Sequence, residues 1–220
     1  APYKLVKTMR AGILVLGPLL ARYKKAKISL PGGCAIGPRP VDFHLNALKK
    51  MGAKIKIKNG YVIASTQKGL IGNKIKFPKI SVGATENTLM AAVLAKGTTI
   101  LSNCACEPEV KDLTNFLIKM GSKIKWIGKR KIKIEGVKNL RELSYEIMFD
   151  RIEACTYIIA SAVSNGNLKI KNVDPKIIKN EILTIKKMGV KIFTGLKEIR
   201  VHDSRNIKGI NIKTSPYPGF

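Results

Sequence analysis

The residue best placed for chemistry is Cys34. It lies in the run Pro31-Gly32-Gly33-Cys34-Ala35-Ile36-Gly37-Pro38-Arg39-Pro40. Three nearby glycines let this backbone move and approach a ligand closely. A thiolate is the nucleophilic form of cysteine, and the Arg39 guanidinium favours it wherever the two side chains meet. Arg10 and Arg39 stand out among only eight arginines in a chain dominated by lysine. Their bidentate geometry suits phosphate or carboxylate, the alternative being an ordinary surface ion pair. Arg22 and Arg130 read as solvated surface. Lys79-Ile80-Ser81-Val82-Gly83 leads into an apolar-periodic segment, so backbone N–H groups and a positive helix end there suit an anion as well as a simple cap. Asp150 and Glu153 open another helix, where acids match the dipole or serve a cleft.

The elements that must hold these residues repeat. Leu48-Lys49-Lys50-Met51-Gly52-Ala53-Lys54-Ile55 returns as Leu117 to Ile124 and again as Ile185 to Ile192. Met51, Met120 and Met188 stand 69 and 68 residues apart, and Pro40, Pro108 and Pro175 open the three preceding segments. Apolar residues three and four apart predict helices through Val41, Leu45, Leu48 and Met51, through Val110, Leu113, Leu117 and Met120, and through Ile178, Ile182, Ile185 and Met188. The Gly after each Met suits a left-handed cap. Alternating pairs follow: 54–57 with 61–64 around Asn59-Gly60, 123–127 with 131–135, and 191–193 with 198–201. Earlier helices are expected at 14–21, 86–95 and 152–162, each followed by a strand. Each unit is therefore α-β-α-β-β, about 69 residues long, and predicts an α/β (α+β) architecture of stacked repeats. The first unit carries extra residues around Cys34 that its sisters lack, as a working loop does.

Composition narrows the function classes. The chain has 220 residues, 45% of them apolar, enough to bury a core. No apolar run approaches a membrane span, no signal peptide is visible, and both ends read as cut. Cys34, Cys104, Cys106 and Cys155 have no CxxC spacing and the two histidines lie far apart, so no metal site is expected. Cys104, Cys106 and Cys155 fit buried small hydrophobes, and a reduced, cytoplasmic chain is the simpler reading. The net charge of +27 is spread along the sequence, with only 6% aromatics. That pattern fits compositional bias, and leaves open anionic-substrate steering or a basic module for RNA or anionic membrane. No Gly-rich phosphate motif follows a strand, which argues against a dinucleotide-binding fold.

The wording of the chain resembles the UDP-N-acetylglucosamine 1-carboxyvinyltransferases, within the EPSP synthase/enolpyruvate transferase family. The resemblance runs the whole length. It is carried by Val6-Lys7-Thr8-Met9-Arg10-Ala11, Gly17-Pro18-Leu19-Leu20-Ala21-Arg22, Pro31-Gly32-Gly33-Cys34-Ala35-Ile36-Gly37, Arg39-Pro40-Val41-Asp42, Ser81-Val82-Gly83-Ala84-Thr85-Glu86-Asn87, Glu107-Pro108-Glu109 and Asp150-Arg151-Ile152-Glu153. It implies the inside-out α/β barrel of enolpyruvate transferases, with two three-repeat domains. Residues 1–148 would be most of one, lacking its first repeat, and 149–220 the start of the other. It implies transfer of the enolpyruvyl group of phosphoenolpyruvate to the 3′-hydroxyl of UDP-N-acetylglucosamine in peptidoglycan synthesis, with no metal or organic cofactor.

By motif, Cys34 matches the loop cysteine, a general acid that also forms a covalent adduct with phosphoenolpyruvate and is alkylated by fosfomycin. Arg10 and Arg39 match arginines facing the ligands. Arg39, Pro40, Val41, Asp42 and Phe43, with His44 beside them, match the segment on the uridine side. Lys79, Ile80, Ser81, Val82 and Gly83 match the diphosphate segment, and Asp150 and Glu153 match acids near the cleft. Pro38, Gly12 and Phe149 depart from the family pattern. Much of the family's length is absent, so the chain alone is expected to be inactive and marginally stable. Partners other than the two small substrates, specific nucleic acid among them, are not implied.

Overall fold

The computed structural model describes residue 6, residues 9–30 (Arg10 by its backbone alone) and residues 41–219. The cysteine loop, with Cys34, Arg39 and Pro40, therefore lies outside the described residues. Three repeats follow one another. The first runs α1 (Leu16–Tyr23), β1 (Lys25–Ser29), α2 (Asp42–Lys50), β2 (Lys54–Lys58) and β3 (Tyr61–Ser65). A short strand, β4 (Lys74–Lys76), leads to the second: α3 (Val82–Ala92), β5 (Thr98–Ser102), α4 (Pro108–Lys119), β6 (Lys123–Gly128) and β7 (Lys131–Glu135). The third is α5 (Arg151–Val163), β8 (Leu168–Lys171), α6 (Lys179–Lys187), β9 (Lys191–Thr194) and β10 (Glu198–His202). The α-β-α-β-β unit of the sequence is thus present three times.

Each unit threads its sheet alike. The orders are β1-β3-β2, β5-β7-β6 and β8-β10-β9, with the hairpin's return strand in the middle. These pairings are antiparallel, and β4 joins β5 in parallel as an added edge. Asn59 and Gly60, at φ 50° and 74°, make the left-handed turn between β2 and β3. Gly52, Gly121 and Gly189, at φ 93°, 100° and 99°, end the three helices that carry the repeated phrase. One face of each middle strand is buried: Val62 and Ala64, Ile132 and Ile134, Ile199 and Val201. Lysines line the outer faces of all three sheets, and this even distribution fits solvated surface.

Some sequence expectations are corrected. A 3-10 turn, Arg10–Val15, precedes α1 where a single helix from residue 14 was expected. Helix α3 starts at Val82, four residues early, because Ser81 caps it by accepting from Ala84 N. Pro108 opens α4, but Pro175 lies in turns ahead of α6. The strand β4 has no alternating pattern long enough to be seen. Arg130 is not simply surface, since its Nη1 donates to Cys104 O at 3.0 Å. The connection between β1 and α2 spans 30–41, against 103–107 and 172–178 in the sister units.

The chain forms two compact units, Ala1–Tyr145 and Glu146–Phe220. In the first, α3 is central: α1, α2, α4 and the 3-10 turn pack around it. Its Ala84, Thr85, Asn87, Thr88, Leu89, Ala91 and Ala92 are all buried, the pattern of a helix covered on every side. The second unit has its own smaller core around Ile158, Ile178 and Ile199.

Candidate active site

In the first unit, the segments expected to hold the substrate come together at the start of α3. Val41 is the N-cap of α2, which presents Asp42 and Phe43 at its first turn and buries His44 and Leu45 on its inner side. Lys79 is exposed just before α3, and Ser81, Val82 and Gly83 form its cap and first turn. The His44 ring edge lies over Gly83. A Cβ at Gly83 would stand 3.2 Å from His44 Cε1 and 3.5 Å from Nε2, so glycine is what lets the two segments touch. Beside them a groove of about 500 Å³ opens between Asp42, Phe43 and Asn46 on one side and Lys76, Phe77 and Pro78 on the other.

A buried amide organises this corner. Asn87, fully buried on α3, accepts from Gly17 N at 2.7 Å and donates through Nδ2 to Ile13 O at 3.2 Å. The same Nδ2 lies 3.0 Å from His44 Nδ1. A Cβ on Gly17 would run into the Asn87 carbonyl and side-chain oxygens, so α1 and α3 meet only through a glycine. The 3-10 turn that begins at Arg10 is thereby tied to α3 at Ile13, although the Arg10 side chain is not among the described groups. Asn87 appeared in the sequence only as part of a family phrase. Nothing local marks it, because its partners are 43 to 74 residues away.

A second feature missed in the sequence is acidic. Burial, followed by the neighbouring Glu109 and Glu107 carboxylates, pushes Glu86 up to about 7. Glu107 is itself buried, and its Oε2 has no hydrogen-bond partner among the described residues. Among the described residues no cluster of His, Cys, Asp or Glu could hold a metal ion. Burial also pushes the Cys104 thiol up to about 12 and the Cys155 thiol to about 11, so both remain poor nucleophiles. Cys104 and Cys106 are buried as expected, whereas Cys155 is half-buried. Asp150 caps α5 by accepting from Ile152 N and Glu153 N at 2.8 and 3.1 Å, and both acids of this helix start are exposed.

A sequence profile of EPSP synthase (3-phosphoshikimate 1-carboxyvinyltransferase) matches residues 1–220. The chain belongs to the EPSP synthase family. Among family members, a Pelagibacter ubique protein named UDP-N-acetylglucosamine 1-carboxyvinyltransferase is 67% identical over all of this chain and 53% of its own length. Proteins of the same name from Psychrobacter sp. and Endomicrobium trichonymphae are 51% and 52% identical over the whole chain. The chain spans about half the length of these curated relatives. Solved structures share the fold. The enolpyruvyl transferase NikO from Streptomyces tendae superposes with a TM-score of 0.76 at 21% identity, over 91% of this chain and 48% of its own. EPSP synthase from Acinetobacter baumannii gives 0.64 at 20% identity, over 93% of this chain and 49% of its own. The enolpyruvyl transferase fold thus houses this corner, and these relatives lend no support to a polyanion-binding module.

Proposed function

We propose that this chain is part of an enzyme that transfers the enolpyruvyl group of phosphoenolpyruvate to the 3′-hydroxyl of UDP-N-acetylglucosamine. The observation that carries the reading is the 67% identity, over all 220 residues, with a relative of that name. The geometry supports it: Asp42, Phe43 and His44 on α2 meet Ser81, Val82 and Gly83 on α3, so the two segments assigned to the nucleotide are neighbours. In this reading Lys79 and the α3 N-terminus face the diphosphate, and Arg39, Pro40 and Val41 face the uridine side. Arg10 and Arg39 neutralise phosphate and carboxylate charge.

Cys34 is the general acid. The sugar oxygen bonds to C2 of phosphoenolpyruvate while C3 gains a proton from the thiol. The C2–O bond to phosphate then breaks, C3 loses a proton, and inorganic phosphate leaves with the double bond restored. A closing loop that excludes water suits such an addition and elimination. Residues 1–148 then form most of one three-repeat domain and 149–220 begin a second, where Asp150 and Glu153 border the cleft. Such a reaction supplies cell-wall precursors in the cytoplasm. Among the described residues, no helix is long and apolar enough to cross a membrane.

The test joins this chain to the remaining half of a full-length relative and measures phosphate release from phosphoenolpyruvate. Release should require UDP-N-acetylglucosamine and should disappear in Cys34→Ser. Release that ignores the sugar nucleotide would overturn the reading. Labelling with fosfomycin and mass spectrometry should mark Cys34 and leave Cys104 and Cys155 unmodified, as their raised thiols require.

A further inference from the structure

The hydrogen bonds around Asn87 determine more than packing. A side-chain amide has one acceptor oxygen and one donor nitrogen, and its orientation follows from partners whose roles are fixed. Here both fixed partners are main-chain groups. Gly17 N can only donate, so the atom 2.7 Å from it is Oδ1. Ile13 O can only accept, so the atom 3.2 Å from it is Nδ2. The second Nδ2 hydrogen is then left for His44 Nδ1 at 3.0 Å, and that ring nitrogen must offer a lone pair. An imidazolium, or the tautomer with hydrogen on Nδ1, would set two donors against each other in a buried site. That cost is borne only when no alternative exists.

We infer that Asn87 is a positioning residue: it holds His44 as the neutral imidazole with hydrogen on Nε2, as a fixed N–H donor at the first turn of α3 for a phosphoryl oxygen of the nucleotide. The placement follows from Gly83, over which the Nε2 edge of the ring sits. His44 is 6% exposed and Asn87 fully buried, so the pair is set by the fold before any ligand arrives. Such second-layer hydrogen bonds commonly determine which histidine nitrogen meets a ligand. The ligand part of this inference rests on the proposed function; the tautomer part does not.

The chain has only two histidines, His44 and the exposed His202, so nitrogen-15 histidine labelling gives two ring spectra, with His202 as internal reference. In the unmodified chain at neutral pH, His44 should show a protonated Nε2 and an unprotonated Nδ1. A protonated Nδ1, or a mixture of tautomers, would overturn the lock, and this measurement needs no variant to fold. Asn87→Asp places an acceptor against Nδ1 and should move the proton there; an unchanged His44 spectrum overturns the lock as well.

The ligand arm uses the full-length chimaera and calorimetric titration with UDP-N-acetylglucosamine. His44→Leu should weaken binding roughly tenfold, the usual effect of losing one hydrogen bond to a charged group. His44→Gln, which keeps an N–H donor, should recover most of that loss. Equal affinity of His44→Leu and the parent overturns the donor role. Absence of binding in the parent overturns the proposed function, while the histidine spectrum still judges the lock.

Discussion

Helices α3 and α5 hold the same place in successive repeats and live in different surroundings. Their caps, Ser81 and Asp150, are 69 residues apart, as are the glycines that follow them, Gly97 and Gly166. In this register Leu89 pairs with Ile158, and both are fully buried. The rest of the surface differs. Gly83, Met90 and Leu94 lie in packed surroundings on α3, whereas their counterparts Ile152, Ile159 and Val163 on α5 are 60%, 50% and 80% exposed. Asn87, buried and hydrogen-bonded, corresponds to Thr156, which is exposed and bonds only back to Ile152 O. One face against a sheet is thus common to the repeat, and burial on every side depends on neighbouring repeats. The buried polar corner exists only where α1 and α2 close over α3.

The largest effect should come from the shared position. Leu89→Ala should cost about 3 kcal/mol or more of the first unit's stability, and Ile158→Ala about 2 kcal/mol of the second's. Both are large-to-small changes in a core, and the half-covered α5 relaxes more readily around the gap. Amide hydrogen exchange read separately over the two units would check this. Equal losses in both units from either change would show that they unfold as one.

Next is the glycine contact. Gly17→Ala drives a methyl into the Asn87 backbone carbonyl, and either α1 or α3 must shift. Overpacking of this kind costs about 1–3 kcal/mol. The same change should broaden the His44 ring signals, because it disturbs the amide that orients the imidazole. Gly52→Ala meets no neighbouring atom but sits at φ 93°, so its penalty is conformational and should leave His44 untouched.

Glu86 gives a pH-dependent contrast. Its carboxyl is pushed to about 7 in the folded chain, from an unfolded value of 4.5. The protonated form fits the fold better, so this stability is fully present below the unfolded value and is lost as pH rises through 7. Glu86→Gln should therefore gain nothing near pH 4.5 and about 2 kcal/mol at pH 8, from ~1.4 kcal/mol per pKa unit reduced for partial exposure. Thermal melts across that range would reveal it. A gain that is larger at pH 4.5 would reverse the assignment.

What the sequence disclosed and what it hid follow from the range of each interaction. Helices, hairpins and their glycine turns are written within a few residues, so Met51-Gly52, Asn59-Gly60 and the β6–β7 pair were legible from periodicity. The Ser81 cap moved the start of α3 because a helix begins where its first N–H groups find an acceptor, which hydrophobic spacing does not report. β4 was hidden because three residues carry too little pattern and its partner β5 lies beyond α3. The candidate site divides the same way. Lys79 to Gly83 and Val41 to His44 were named from a resemblance in their wording. The Asn87 amide, the Gly17 contact and the Glu86 environment emerge only when residues from distant elements meet, and Cys34, Arg39 and Pro40 lie outside the described residues.

The smallest expected effect is the most informative about α5. Ile159→Ser and Val163→Ser remove apolar groups from a face that no element of the second unit covers, so in this chain each should change stability by less than about 0.5 kcal/mol. The pattern of that face, with Ile152, Thr156, Ile159 and Val163 three and four residues apart, is the stripe a helix buries. If further repeats cover α5 as neighbouring repeats cover α3, the same two changes should cost about 1–2 kcal/mol each in the full-length chimaera, where their methyl groups leave water. Denaturation of both forms, scored over the second unit, separates these cases. Small losses in both settings would mean that α5 keeps one bare face, and its resemblance to α3 would then end at the sheet.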